Sequence, residues 1–142
     1  MEGATGTIDT NFEGKAEAAI NALKNGSDFL YIHMEAPDEC GHHFDLEGKI
    51  KAIEYIDKRV IAPVMEYLEG CGEDFAVLVL PDHPTPVETG THSREAVPFF
   101  AYSNKFSKTG ASYNEDNAEK SAISVKVGCE LMKRFIDLSL FG

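Results

Sequence analysis

The chain has 142 residues, 43% of them hydrophobic, so it can bury a sizeable core and is not disordered. Its net charge of −11 argues against binding to nucleic acid or to an anionic membrane surface. No apolar run reaches the roughly 18 residues that a membrane-spanning helix needs. We therefore predict one globular domain over residues 1–142 that binds neither nucleic acid nor a membrane.

The cysteine content and the N-terminal stretch both indicate the cellular compartment of the protein. Cys40, Cys71 and Cys129 are odd in number and form no CxxC pair, which predicts reduced thiols and not a disulfide framework. The stretch MEGATGTIDTNFEGK is polar and lacks the apolar region of a secretory signal peptide. Both features predict a cytoplasmic protein.

The first 34 residues contain one predicted helix and one predicted strand. A helix over FEGKAEAAINALKNG would be capped by Thr10 or Asn11 and stopped by Gly26. The run DFLYIHM, residues 28–34, is short and almost continuously apolar, which is typical of a strand buried on both faces.

A long amphipathic helix is predicted from Leu46 onward, and its apolar stripe is expected to lie in the core against a sheet. Pro63 is expected to kink or split this helix near its end. The apolar positions at helical spacing are Leu46, Ile50, Ile53, Ile56, Val60, Val64 and Leu68.

The second half of the chain contains two more predicted strands, DFAVLVLPD at 74–82 and AVPFFAYS at 96–103. Helices are expected near Asn117–Ala122 and over residues 126–140. Strands alternating with helices predict an α/β fold with a mainly parallel sheet flanked by helices. In such folds functional groups gather at the carboxyl ends of strands.

Three clusters of acidic residues and histidines lie beside the predicted strands. Asp38 and His42 follow the first strand, and their spacing puts both on one side of a helical turn. Asp82 and His83 come directly after the apolar run FAVLVL of the second strand, and His92 comes just before the third strand. Carboxylates mixed with imidazoles suit Zn²⁺ or Mn²⁺ better than Ca²⁺. Together the clusters predict a divalent-metal site.

Each cluster taken alone also fits an ordinary solvated loop. His43 would point away from His42, so we expect it to lie at the surface or to contact a metal ligand without binding the metal itself. His33 lies inside the first predicted strand, where a hydrogen-bonded core histidine is expected. Cys40 is an alternative soft ligand that would favour zinc, although its spacing puts it off the face shared by Asp38 and His42.

Four segments resemble the archaeal-type, 2,3-bisphosphoglycerate-independent phosphoglycerate mutases, which belong to the alkaline phosphatase superfamily. The similarity runs from about Gly3 to about Met132 and is carried by DTNFEGKAEAA, EAPDECGH, VLPDHPTPVETGTHS and VPFFAYS. The resemblance implies an alkaline-phosphatase-like fold. It also implies an enzyme of glycolysis that converts 3-phosphoglycerate to 2-phosphoglycerate through a phospho-enzyme intermediate.

The resemblance further implies two divalent metal ions, Mn²⁺ or Zn²⁺, with Mg²⁺ or Co²⁺ as alternatives. Asp38, His42 and His92 would bind one metal, and Asp82 and His83 would supply part of the second site. The metals would lower the pKa of a serine or threonine nucleophile and neutralise phosphate oxygens during in-line displacement.

Family members are much longer, and this chain corresponds only to their C-terminal part, so the fold and the active site are expected to be incomplete. No serine or threonine here matches the nucleophile, which predicts that the isolated chain has no mutase activity. Lys15 is implied as a contact to the substrate phosphate, with a plain helix-surface lysine as the alternative. The missing part would leave an edge or an apolar face exposed, which predicts self-association.

The predicted metal ligands are shared across the superfamily, so they also fit another phosphomutase or a phosphomonoesterase. A third interpretation is a non-catalytic metal-binding module that has lost its nucleophile. The mutase remains the leading hypothesis, because the four segments match in both order and context.

Overall fold

The computed structural model describes residues 2–106 and 110–141, and the chain falls into two units. The first unit comprises residues 1–72 and 84–93, and the second comprises 73–83 and 94–142. The single domain predicted for the whole chain stays a prediction.

Helix α1 covers Phe12–Lys24 and confirms the first predicted element. Of the two expected caps, Asn11 is the one used, because its side chain accepts a 2.8 Å hydrogen bond from the Gly14 amide. Gly26 follows the helix with a φ of 88°, a conformation that glycine adopts without strain. The predicted stop is therefore also confirmed.

The predicted strand at 28–34 is not a strand in this structure. Its side chains alternate in exposure, as in an extended chain with one covered face, but among the described residues the segment pairs with no neighbouring strand. A strand exists only through hydrogen bonds to a partner, so an apolar run cannot form one alone. The exposed side chains are Phe29, Tyr31 and His33, and the half-buried ones are Leu30, Ile32 and Met34.

Two further helices of the first unit are α2, Ala36–His42, and α3, Leu46–Ile56. After α3 the chain widens into a π-helical turn at Asp57–Ile61 and continues as α4, Ala62–Gly70. The turn precedes Pro63, which cannot donate the hydrogen bond of a regular helix. The predicted interruption of the long helix is confirmed.

The predicted core stripe of this long helix is only partly right. Leu46, Ile50 and Ile53 are 51–57% exposed, whereas Val60 is buried. The face of α3 that is buried carries the small residues Gly48 and Ala52 instead. The first unit therefore presents an exposed apolar surface on α3, which consists of Leu46, Ile50 and Ile53.

The core of the first unit is small and centres on Phe12, which is fully buried at the start of α1. The Phe12 ring meets Tyr55 edge-on, with ring centroids 5.6 Å apart. The Arg59 guanidinium lies over both rings, 5.1 Å from the Phe12 centroid and 4.6 Å from that of Tyr55. The buried members of this cluster are Phe12, Ala16, Ala36, Ala52 and Val60.

Arg59 also donates two hydrogen bonds to the carboxylate of Glu13, with its Nη2 atom 2.8 Å from Oε2. This hydrogen bonding holds the pKa of Glu13 below its ordinary value. A carboxyl with a lowered folded pKa adds stability above its unfolded pKa, and loses it as the pH falls through the folded pKa.

We expect Arg59→Gln to raise the pKa of Glu13 towards its ordinary value, because glutamine cannot form the paired, charge-assisted hydrogen bonds of the guanidinium. The stability difference between wild type and variant should be largest at neutral pH and should shrink on acidification. NMR titration of the Glu13 carboxyl, with urea unfolding at pH 7 and pH 3, measures both effects. An unchanged Glu13 pKa in the variant would contradict this account of the ion pair.

The second unit contains strands β1, Ala76–Val79, in the middle of the second predicted strand, and β2, Phe100–Ser103, at the end of the third. They pair antiparallel, with Ala76 opposite Ser103 and Val79 opposite Phe100. The mainly parallel sheet that was predicted is therefore not seen among the described residues. Parallel neighbours need a crossover, usually a helix, and residues 80–99 contain none.

The rest of the second unit contains short helices. Helix α5 covers Glu115–Glu119 and is capped by Asn114. The single helix predicted over 126–140 is instead a 3₁₀ turn at Gly128–Glu130 followed by α6, Leu131–Ile136. Within residues 2–106 and 110–141, no helix has the length and apolar character needed to cross a membrane.

Candidate metal centre

Three of the predicted ligands meet in the first unit. Asp38 and His42 lie four residues apart on α2, so they project from the same face of this short helix. His92 approaches them from the loop formed by residues 84–93. The structure thus brings together Asp38, His42 and His92, whose ligand atoms all lie within 4.8 Å of one another.

The 84–93 loop is closed on itself, which fixes where His92 lies. The Ser93 amide donates to the Pro84 carbonyl oxygen at 3.1 Å, so the two ends of the loop are adjacent. Within the loop, the Gly90 amide donates to the Pro86 carbonyl oxygen at 2.9 Å. Gly90 has a φ of 63°, and a side chain there would collide with the ring of Phe44.

The three side chains form a triangle of close contacts. The Nε2 atoms of His42 and His92 are 3.1 Å apart. The carboxylate of Asp38 faces both rings, with Oδ2 at 3.3 Å from His42 Nε2 and Oδ1 at 3.4 Å from His92 Nε2. Asp38 and His42 are half-buried and His92 is exposed, so an ion could enter from the solvent.

A hydrogen bond determines which nitrogen of His42 is available as a ligand. Its Nδ1 atom lies 2.9 Å from the Gly90 carbonyl oxygen, which can only accept, so Nδ1 carries the proton. In the neutral ring Nε2 is then an acceptor, and it faces a carboxylate oxygen of Asp38. A cation placed between these two acceptors would be favoured by both. A backbone carbonyl that fixes the tautomer is also the usual second partner of a metal-bound histidine.

The spacing of the donor atoms fits a small divalent ion. Metal–nitrogen distances of about 2.0–2.1 Å in tetrahedral zinc sites place neighbouring donors about 3.3 Å apart. The 3.1 Å between the two Nε2 atoms and the 3.3 Å between His42 Nε2 and Asp38 Oδ2 are close to this value. The 3.4 Å contact of His92 Nε2 is to the other carboxylate oxygen, Oδ1. One carboxylate with two imidazoles suits Zn²⁺ or Mn²⁺ and leaves a coordination position open for water or substrate.

Cys40 does not belong to this cluster, although it lies on the same helix. Its side chain is buried, and burial, with a smaller contribution from the nearby carboxylate of Asp45, raises the pKa of the thiol. A thiol must lose its proton to bind a metal, so the environment of Cys40 disfavours that role.

The two remaining histidines of the first unit both lie at the surface. His43 is exposed, and its Nδ1 atom lies 2.8 Å from the Glu39 carbonyl oxygen, as expected for a residue outside the ligand set. The prediction of a core position for His33 is wrong, because its side chain is 49% exposed. Its Nε2 atom lies 3.4 Å from Glu35, and its ring stacks on Tyr31.

The other predicted site residues occupy different places. Asp82 and His83 lie in the second unit, in the loop after β1, where the His83 amide donates to Asp82 Oδ1 at 3.1 Å. Lys15 lies on α1 in the first unit, and its Nζ atom donates to the His33 carbonyl oxygen at 2.9 Å. Their proposed roles in a second metal site and in substrate binding stay predictions.

Two further residues, which the sequence did not indicate, lie next to the triangle. One contacts Asp38 directly, and the other contacts the first. The hydroxyl of Thr85 donates to Asp38 Oδ1. The Nζ atom of Lys49 donates to the Thr85 carbonyl oxygen at 2.7 Å. No local signal in the sequence indicates which side chains the 84–93 loop would contact.

Known proteins similar to this chain are named as phosphoglycerate mutases. The chain is 42% identical over 134 residues to the 2,3-bisphosphoglycerate-independent phosphoglycerate mutase of Methanosarcina mazei, and the match covers 93% of this chain and 34% of that protein. It is 45% identical over 139 residues to the probable 2,3-bisphosphoglycerate-independent phosphoglycerate mutase of Geobacter sulfurreducens, with 96% and 34% covered. The predicted resemblance is confirmed, and the chain spans about a third of the length of these relatives.

A solved structure and a family match agree with this relationship. The structure of the PH0037 protein from Pyrococcus horikoshii superposes with a TM-score of 0.83 at 27% identity, covering 99% of this chain and 42% of that one. Residues 1–133 match the Metalloenzyme superfamily, a span that includes all five predicted metal ligands. The chain therefore belongs to the Metalloenzyme superfamily.

Proposed function

We propose that this chain is the metal-binding part of a 2,3-bisphosphoglycerate-independent phosphoglycerate mutase. The observation that carries the proposal is the triangle of Asp38, His42 and His92, with donor spacings suited to a divalent ion. The sequence similarity to proteins named as such mutases supports the same activity. The reaction would convert 3-phosphoglycerate to 2-phosphoglycerate within glycolysis.

Each residue of the triangle has a distinct task in this proposal. Asp38 supplies the negative charge that offsets the positive ion. His42 offers Nε2 because the Gly90 carbonyl oxygen holds the proton on Nδ1. His92 completes the set from a closed loop. The bound metal would lower the pKa of a hydroxyl nucleophile and neutralise phosphate oxygens.

The remaining parts of the active site are also proposals. Asp82 and His83 would contribute to a second divalent-metal site, with Mn²⁺ or Zn²⁺ as the preferred ions and Mg²⁺ or Co²⁺ as alternatives. Lys15 would contact the substrate phosphate after releasing the His33 carbonyl oxygen. No serine or threonine of this chain is assigned as the nucleophile, so we propose that the chain alone is inactive.

Two further properties follow from the same proposal. We place the protein in the cytoplasm, in line with its three free cysteines. We also propose that the isolated chain self-associates through the exposed apolar surface of α3, because such surfaces are usually covered.

Metal titration and a turnover assay on the purified chain test the proposed function. We expect about one Zn²⁺ or Mn²⁺ per chain at neutral pH and no conversion of 3-phosphoglycerate. The absence of metal binding would overturn the proposed site, and measurable turnover would overturn the proposed inactivity. Sedimentation of the same preparation measures self-association, which a monodisperse monomer would contradict.

A further inference from the structure

We propose that Thr85 is a positioning residue of the metal centre: its hydroxyl orients the carboxylate of Asp38 for metal binding. The inference deepens the proposed metal-binding function and rests on it. It concerns a residue that binds neither metal nor substrate and acts only through Asp38.

The contact between Thr85 and Asp38 is a hydrogen bond that is shielded from solvent and made to a charged acceptor. Thr85 is 4% exposed, so water does not compete for its hydroxyl, which donates to Asp38 Oδ1. A hydrogen bond to a charged acceptor is stronger than one between neutral groups. The bond restricts rotation of the carboxylate and keeps Oδ2 directed at His42 Nε2, 3.3 Å away.

Thr85 is itself held in place by groups from two helices. Lys49 of α3 donates to its carbonyl oxygen at 2.7 Å. Gly41 of α2 lies so close that a Cβ atom there would be 2.5 Å from this oxygen and 2.9 Å from the Thr85 methyl group. Pro84 and Pro86 restrict the backbone on either side. The position of the hydroxyl is therefore fixed before a metal arrives.

This arrangement corresponds to the outer contacts that orient metal-bound carboxylates in proteins. Losing such a contact typically costs 10–100-fold in metal affinity or activity. The effect depends on the hydroxyl of residue 85. A side chain of the same shape without a hydroxyl should therefore weaken metal binding. A side chain that retains the hydroxyl should bind the metal as tightly as wild type.

The test compares Thr85→Val, which removes the hydroxyl at nearly constant shape, with Thr85→Ser, which keeps it. Thr89→Val is the matched control, because Thr89 belongs to the same loop, is exposed and bonds to backbone carbonyls of that loop. Zn²⁺ affinity is measured by competition titration, and the visible spectrum of bound Co²⁺ reports ligand geometry. Urea unfolding without metal checks that each variant is folded.

We expect Thr85→Val to bind Zn²⁺ about 10–100-fold more weakly and to alter the Co²⁺ spectrum. Thr85→Ser and Thr89→Val should stay close to wild type in both measurements. If Thr85→Val binds as tightly as wild type, or if Thr85→Ser loses as much affinity, the positioning role is overturned and the metal site stands. If wild type binds neither Zn²⁺ nor Co²⁺, the proposed metal-binding function is overturned together with the role of Thr85.

Discussion

Asp38→Asn should lower the affinity of the chain for Zn²⁺ or Mn²⁺ by at least about 100-fold, beyond the 10–100-fold effects of outer contacts. Asp38 is the only carboxylate of the triangle, and it faces both histidines at 3.3 and 3.4 Å. Asparagine retains the shape but removes the charge that offsets the positive ion. Two neutral imidazoles alone would then have to hold the metal. Isothermal titration of each ion into the folded variant measures the loss.

Glu39→Gln is the matched control for this substitution. It removes one negative charge from the same helix, but Glu39 is not part of the triangle. Any general effect of the chain's negative charge on cation binding should appear in both variants. Equal losses of affinity in Asp38→Asn and Glu39→Gln would mean that the acidic surface binds cations without a defined site.

The helices and the pairing of Asp38 with His42 could be predicted because their determinants are local, whereas His92 joins them from 50 residues away and was implied by the family resemblance. Asn11 and Gly26 mark the ends of α1 through groups a few residues away. Pro63 interrupts the long helix through its own missing amide hydrogen. The four-residue spacing of Asp38 and His42 depends only on the geometry of one helical turn.

The sheet could not be predicted in the same way, because strand pairing depends on distant partners. The run at 28–34 has the composition of a buried strand, and its extended, alternating side chains agree with that composition. Pairing requires a neighbour, which no other described segment supplies. The exposure of Leu46, Ile50 and Ile53 has a similar cause, since an amphipathic helix shows which face is apolar but not what covers it.

The residues that hold the metal ligands in place could not be predicted from the sequence either, because their contacts join remote segments. Thr85 meets Asp38 across 47 residues, and His42 meets Gly90 across 48. Neither contact leaves a periodic or local pattern. The type of chemistry could therefore be predicted from the clustering of carboxylates and imidazoles, whereas the residues that orient the ligands required the folded structure.

Phe12→Ala should destabilise the first unit by about 3–5 kcal/mol, the usual cost of removing a buried phenylalanine side chain. Phe12 is fully buried in the core cluster of that unit, and its ring contacts Tyr55 and the Arg59 guanidinium. Total stabilities of domains are about 5–15 kcal/mol, so this loss would be a large share of the total. Urea unfolding followed by far-UV circular dichroism measures the change.

Phe29→Ala is the control for this prediction, because Phe29 is 51% exposed and lies in the unpaired 28–34 segment. It removes the same side chain, but we expect a change of about 1 kcal/mol or less, as for other surface substitutions. A cost at Phe29 equal to that at Phe12 would mean that something covers the 28–34 segment in solution, as in a self-associated chain. Repeating the unfolding at several protein concentrations separates the two cases, because only an association makes the midpoint depend on concentration.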